Sequence, residues 1–200
     1  MNKRSFLQQS GGALALAAML PAAHAARVAT AAHAEPALLT LTGNSLPRSN
    51  RSAFDASRDI LFAKQKVQFD KAFAFDFTTL AKLPMVSIQP VLEYDSKAHQ
   101  LRGPLLIEVL QAAGIKADAK LQVSLRAIDG YVASYSLQQI RDYRFMLALS
   151  MDGQPLGLGG LGPIWAVFDV EKQPERAKVP LAERFGGCPW ALYHIALDAA

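Results

Sequence analysis

The chain has 200 residues, of which 51% are hydrophobic and 19% are charged, and its formal net charge is +4 at pH 7. Removal of a predicted leader, residues 1–25, would take away two positive charges and no negative ones, which leaves +4 − 2 = +2. No cluster of Lys and Arg is interleaved with aromatic residues, so nucleic-acid binding has little support. Cys188 is the single cysteine, which excludes an intramolecular disulfide.

The first 25 residues have the pattern of an export signal. Lys3–Gln8 (KRSFLQ) is basic, and Gly11–Leu20 is an apolar run shorter than the ~20 residues that cross a bilayer. Pro21 and then Ala23-His24-Ala25, with a small residue on each side of His24, form a cleavage site. The basic segment is close to a twin-arginine signal with Lys in place of the first Arg, and the general secretory route stays open. We therefore expect a periplasmic protein that does not span the membrane after cleavage.

The remainder divides into an arm and one domain. Residues 26–50 are rich in Ala and then in Pro, Ser and Asn, with little periodicity, and predict a flexible arm. The mature chain of about 170 residues is enough to bury a core, and residues 51–200 predict a single domain.

Apolar alternation in the domain predicts a strand-rich fold. The predicted strand positions are Val67, Phe69, Phe73, Phe75 and Phe77, then Met85–Leu92, Leu121–Ala127, Phe145–Leu149, a strand opening at Trp165, and Trp190–Leu197. Thr78–Leu83, closed by Pro84, favours one helical turn. Pro104–Ala113 is the best helix, because its apolar residues share one face and Gly114 suits a left-handed stop. The sum is an α+β fold in which the sheet dominates.

Loops with Gly beside a polar or aromatic residue follow the strands between Leu121 and Phe168. Asp129-Gly130-Tyr131 and the run Gly157–Gly162 are two of them, and such loops commonly build a ligand pocket. The Gly157–Gly162 run lacks the Lys-Ser/Thr of a phosphate loop, which argues against a nucleotide. Asp152-Gly153 is most simply a hairpin turn.

The order of these motifs resembles the molybdopterin-binding domain of the sulfite oxidase family, and most of all its short, single-domain exported relatives. The matching segments are Phe77–Pro84, Leu101–Gly114, Ala127–Ser134, Leu147–Leu156, Gly162–Phe168 and Trp190–Ile195. The resemblance implies that family's fold, with mostly β mixed sheets and a few short helices, over roughly residues 65 to 198.

One departure from the family pattern bears on the chemistry. In the enzymes of the family a Cys after an early strand ligates molybdenum, whereas the corresponding loop here, Ser87–Val91, has no Cys. A thiolate is the soft ligand that such a site requires. The resemblance then implies a pterin-binding protein without molybdenum, similar to periplasmic regulators that report to a membrane-bound signalling enzyme. That partner would be a cyclic-di-GMP synthase or phosphodiesterase, or a sensor kinase.

The residues that would hold a pterin follow from its shape, a planar bicycle with a donor-acceptor edge. Trp190 is the first stacking candidate and Trp165 the second, and core packing is the alternative for each. Asp129 would accept from the pterin's amino and ring N–H groups, or is simply a turn residue. Tyr131 matches an active-site Tyr of the enzymes, or is a strand aromatic with a hydrated hydroxyl. Arg184 would face an anionic or polyol tail, or is a surface residue.

No metal site or catalytic group is predicted. Cys188 lies in the segment that contacts the organic part of the cofactor in the enzymes, and is otherwise a partly buried loop residue or a reactive thiol. His99 and His194 have no partner at metal-ligand spacing. The alternatives to a pterin-binding sensor are a small molybdopterin-dependent oxidoreductase and an interaction domain without a ligand.

Overall fold

The computed structural model describes residues 35–116 and 120–199, so the predicted leader and residues 26–34 of the predicted arm lie outside the described residues. In this part of the chain strands dominate and the helices are short, which confirms the predicted α+β class. The strands form three sheets, with the orders β2-β1-β11-β5-β6, β10-β7 and β3-β4-β8-β9.

The bounds of the elements follow. The strands are β1 (Leu39–Thr42), β2 (Ala72–Phe75), β3 (Met85–Ile88), β4 (Leu101–Pro104), β5 (Leu121–Ala127), β6 (Val132–Ser136), β7 (Met146–Ala148), β8 (Ser150–Met151), β9 (Gln154–Pro155), β10 (Trp165–Val167) and β11 (Leu192–Ala199). The helices are α1 (Ile60–Lys64), α2 (Phe77–Ala81), α3 (Leu106–Ala112), α4 (Leu137–Asp142) and α5 (Pro174–Ala177), with short 3-10 turns at Val170–Lys172 and Leu181–Glu183.

The five-stranded sheet is mixed. Its centre is β11, which pairs in parallel with β1 and antiparallel with β5. In β5 the odd-numbered residues from Leu121 to Ala127 are buried, as the alternation predicts, because they face the core. The sheet therefore joins residues from the beginning, middle and end of the described chain.

The first strand corrects the predicted arm. Residues 39–42 are buried on both faces and lie between β2 and β11, so this part of residues 26–50 belongs to the sheet. Leu39 and Leu41 have no exposed surface. The flexible arm is therefore the wrong description for the segment that contains β1.

Two boundaries also differ from the prediction. Pro104 ends β4, and α3 begins at Leu106, because the chain first pairs with β3 before it turns into the helix. Phe77 begins α2 and does not continue the strand, because the Asp76 side chain accepts a hydrogen bond from the Thr79 amide and caps the helix. The stop at Gly114 is confirmed by its left-handed φ of +96°.

One large core cluster joins residues of all three sheets and of helices α2, α3 and α4. A smaller aromatic cluster contains Phe62, Phe69 and Tyr193. Across the described ranges, 35–116 and 120–199, no helix combines the length and the apolar composition needed to cross a membrane.

Candidate functional site

A cavity of about 570 Å³ lies at the edge of the five-stranded sheet where β5 ends and β11 begins. Because these strands are antiparallel, the turn after β5 and the segment before β11 meet at one edge, and the Ile128 amide donates to the Ala191 carbonyl at 3.1 Å. The volume falls within the range of about 300–1,000 Å³ that small-molecule sites occupy. We call this space the pterin-candidate cavity; its lining includes Glu93, Tyr94, Asp129, Tyr131, Glu183 and Gly186–Trp190.

The turn after β5 presents a carboxylate and a phenol to the cavity. Asp129 Oδ1 accepts a hydrogen bond from the Tyr131 amide at 2.9 Å, so this residue shapes the turn. The second carboxylate oxygen has no hydrogen-bond partner among the residues that the structure describes. Tyr131 is half-exposed. Asp129 thus serves the turn and still offers an acceptor to the cavity.

The segment Gly186–Trp190 forms another part of the cavity wall and displays Trp190. The Gly187 carbonyl accepts a hydrogen bond from the Tyr135 hydroxyl at 2.8 Å, and the Cys188 amide donates to the Phe185 carbonyl at 2.8 Å. Gly187 has φ of +90°, in the left-handed region that favours glycine. Trp190 is 41% exposed and pairs with no other aromatic ring of the described residues. Its indole face is therefore available to a planar ligand.

Trp165, the second stacking candidate, is not in the cavity. Its side chain is 0% exposed, its ring packs against Phe185 at 5.3 Å between centroids, and its indole N–H donates to the Cys188 carbonyl at 2.9 Å. The core-packing alternative holds for this residue, because a fully buried ring has no face left for a ligand. Trp165 therefore packs in the core and supports the segment that contains Phe185 and Cys188.

Neither Arg184 nor Cys188, both predicted to contact the ligand, presents a freely accessible group to the cavity. The Arg184 guanidinium Nε donates to the Val179 carbonyl at 3.0 Å, and the residue is not among those that line the cavity. Cys188 lines the cavity, but the residue is only 5% exposed, and burial raises the pKa of its thiol to about 12. At neutral pH the thiol is therefore protonated.

Three further residues line the same cavity without a sequence motif that marks them: Glu93, Tyr94 and Glu183. Glu93 and Tyr94 follow the Ser87–Val91 segment, where the resemblance would place a metal ligand. The turn pattern that singled out Asp129-Gly130-Tyr131 could not have found them, because Glu93 and Tyr94 have no neighbouring Gly and lie beyond the end of β3 at Ile88.

A second recess continues from the first and shares Tyr94 and Trp190 with it. Its volume is also about 570 Å³, and its lining includes the apolar residues Leu92, Met151 and Leu161. Trp190 therefore stands between a polar compartment and an apolar one. A ligand with a polar ring and an apolar substituent would match this division.

His99 lines the apolar recess and has two carboxylate partners. Its Nδ1 lies 2.6 Å from Asp152 Oδ2 and its Nε2 lies 2.9 Å from Asp95 Oδ2. The hydrogen bonds with Asp152 and then Asp95 raise the pKa of His99 and lower those of both carboxyls. Asp152 does lie in the β8–β9 hairpin turn, as predicted. No metal-holding group of His, Cys, Asp or Glu occurs within residues 35–116 and 120–199.

Comparison with known proteins finds a likeness to solved structures. No family model matches the sequence, and no curated protein does. Among solved structures the chain is similar to the sulfane dehydrogenase SoxCD from Paracoccus pantotrophus, with 17% sequence identity and a TM-score of 0.45. The match covers 65% of this chain and 36% of that chain, so it spans about a third of the neighbour's length. At this level the likeness does not assign a function or a site.

Proposed function

We propose that this protein binds a reduced pterin, without molybdenum, in the pterin-candidate cavity. One observation supports the proposal most: the exposed ring of Trp190 and the carboxylates of Asp129, Glu93 and Glu183 line the same cavity. The family fold suggested by the sequence resemblance is part of this proposal.

The arrangement suits the chemistry of a pterin. The bicycle is flat and stacks on an aromatic face, and such contacts contribute about 0.5–1.5 kcal/mol beyond the area buried. Its amino group and ring N–H groups need acceptors, and hydrogen bonds to charged groups contribute about 1.5–3 kcal/mol. Trp190 would supply the face, and the free oxygen of Asp129 would supply an acceptor for the edge.

The charge of the lining favours a pterin that carries no phosphate. Three carboxylates line the cavity, and no Lys or Arg is among the described residues that do so. Arg176 lies close to Gly186 and Gly187 and offsets only part of this negative charge. A phosphorylated pterin would pay an electrostatic cost here, whereas a neutral reduced pterin would not.

The residues present do not fit a molybdenum centre of the family type. The Ser87–Val91 segment has no Cys, and the Cys188 thiol is buried with a raised pKa, so neither supplies a ready thiolate. We therefore derive no redox step. The small oxidoreductase remains the competing function, and metal content decides between the two.

The biological setting belongs to the same proposal. The leader pattern supports export to the periplasm, where a pterin-loaded form would signal to a membrane-bound enzyme. Tyr94, Tyr131 and Trp190 are exposed around the cavity, so ligand binding would alter the surface that such a partner meets.

Binding of 7,8-dihydropterin to the purified protein under anaerobic conditions, measured by calorimetry, tests the proposal. We expect saturable binding, a loss of about 10-fold in affinity for Trp190→Ala and of about 10- to 100-fold for Asp129→Asn. Phe77→Ala removes another exposed aromatic and Asp142→Asn another exposed carboxylate, and both should leave the affinity unchanged.

Two results would contradict the proposal. The first is the absence of saturable pterin binding by the unmodified protein, which would favour an interaction domain. The second is stoichiometric molybdenum in protein isolated from its native compartment, measured by elemental analysis, which would favour the oxidoreductase.

A further inference from the structure

A separate polar cavity of about 340 Å³ lies over the five-stranded sheet, lined by residues of β1, β5, β11 and the segment 66–70. It shares no lining residue with the pterin-candidate cavity. Its inner surface includes Thr42, Arg126 and His194, and its exposed rim includes Lys66, Asp70 and Asp198. We call it the β11 cavity.

His194 is the most buried polar residue of the β11 cavity. Its side chain is 1% exposed, and its Nε2 lies 2.7 Å from the Thr42 hydroxyl oxygen. The other ring nitrogen, Nδ1, is buried and has no hydrogen-bond partner among the described residues. A buried polar atom in this state costs about 1–3 kcal/mol unless something in the cavity satisfies it.

Arg126 presents a second unpartnered group next to the first. The two residues face each other in the β5–β11 register, and the buried Arg126 Nε–H also lacks an acceptor within the described part of the chain. No ion pair is formed by Arg126 with a described carboxylate, although Asp70 and Asp198 line the same cavity. A cationic donor and an imidazole thus share one space without an acceptor.

The imidazole of His194 is neutral in this setting. Burial, and next the Arg126 charge, lower the pKa of His194 to about 3, so the ring carries one proton at neutral pH. When the Thr42 hydroxyl donates to Nε2, that proton is on Nδ1. The Nδ1–H and the Arg126 Nε–H would then both donate to one anionic group.

We infer that the β11 cavity is a binding site for a small monocarboxylate. A carboxylate supplies two oxygens, enough to satisfy both unpartnered donors, and charge-assisted hydrogen bonds of this kind are the stronger ones. The rim has one positively charged side chain, Lys66, and two negatively charged ones, Asp70 and Asp198, so the net charge of the rim is negative. That rim disfavours a dianion such as sulfate and tolerates the ammonium group of an amino acid.

The test is an NMR titration of the purified protein with ¹⁵N-labelled histidine, followed through the ring nitrogens of His194. Sodium acetate and glycine are the probes, and sodium chloride and sodium sulfate at equal ionic strength are the comparisons. We expect saturable shifts with acetate or glycine, and weaker binding of sulfate. Arg126→Gln should weaken the binding at least 10-fold, and Arg102→Gln, an exposed strand residue of another sheet, should not.

Several outcomes would overturn the inference. Shifts that grow linearly with salt, or that chloride reproduces, would show that ordered water alone satisfies the two donors. Sulfate binding as tight as acetate would refute the carboxylate class. Unchanged acetate affinity in Arg126→Gln would remove the guanidinium from the site. If that variant does not fold, the salt comparisons on the unmodified protein decide.

Discussion

The contact between Gly187 and Tyr135 sets the position of the wall that carries Trp190, and a double-mutant cycle measures it. A Cβ added at Gly187 would overlap the Tyr135 hydroxyl oxygen, and Gly187 also has φ of +90°. A left-handed conformation costs a non-glycine residue about 1–2 kcal/mol, and forced overpacking costs about 1–3 kcal/mol. We therefore expect Gly187→Ala to lower the free energy of unfolding by about 2–5 kcal/mol.

The second change removes the atom that causes the overlap. Tyr135→Phe loses the 2.8 Å hydrogen bond to the Gly187 carbonyl, at a cost of about 0.5–1.5 kcal/mol. In that background the nearest Tyr135 atom to the added Cβ is Cζ at 3.4 Å, an ordinary contact. The double variant should then be less destabilised than the sum of the single variants, by about 1–3 kcal/mol.

Urea denaturation followed by tryptophan fluorescence gives the free energy of unfolding of the unmodified protein, the two single variants and the double variant. Gly186→Ala is the matched control, since Gly186 is outside the left-handed region and the added Cβ would meet the Glu183 carbonyl oxygen at 3.2 Å. The effects of Gly186→Ala and Tyr135→Phe should add. If the effects of Gly187→Ala and Tyr135→Phe also add, the hydroxyl does not fix this wall and the reasoning fails.

Three further predictions concern other parts of the protein. The pKa of His99 is raised in the folded protein, so protonated His99 stabilises the fold fully below the unfolded pKa of about 6.5, and this stabilisation is lost as pH rises through the folded pKa. The Tm should therefore fall as pH rises above 6.5, and it should fall less steeply in Asp152→Asn, which lacks one carboxylate partner. Equal slopes in the two proteins would contradict the ion pair. With a pKa of about 12, Cys188 should react with iodoacetamide at pH 8 about 1,000-fold more slowly in the native protein than in urea, and comparable rates would show an accessible thiolate. Ser136→Ala should cost about 1 kcal/mol in urea denaturation, because it removes the capping box of α4, whereas Ser134→Ala serves as the control and should cost less.

Elements with a local pattern were predictable from the sequence. The alternation from Leu121 to Ala127 identifies β5, because one face of that strand is buried and the other is more exposed. The apolar face before Gly114 identifies α3, because its period and its stop are both local. The Asp152-Gly153 turn likewise identifies the β8–β9 hairpin.

Elements that depend on distant partners were not predictable. Strand β1 is buried on both faces, so it shows no alternation, and its neighbour β11 lies about 150 residues further along the chain. Strand β6 and helix α4 were not predicted at all. The sequence predicts a helix start at Pro104, because the pairing of Pro104 with Met85 in β3 cannot be recognised from the local pattern.

The candidate site also contains residues whose position could be predicted from the sequence and residues whose position could not. Turn chemistry identified Asp129 and Tyr131, which do line the cavity. Trp165 and Trp190 both follow a Gly and Pro segment, and yet one is fully buried and the other is 41% exposed. Only tertiary packing accounts for the difference in exposure between the two residues. The indole N–H of Trp165 donates a hydrogen bond to the Cys188 carbonyl, which holds this ring in the core.

The central place of β11 has a consequence for how the protein is made. The hairpin β5–β6 and the pair β1–β2 can form early, but each leaves an unpaired edge until β11 is inserted between them. Unpaired edges are templates for aggregation, and contacts of long sequence separation form slowly. The nascent chain therefore remains vulnerable until residues 192–199 have left the ribosome, and during that interval it would need a chaperone or rapid completion of synthesis.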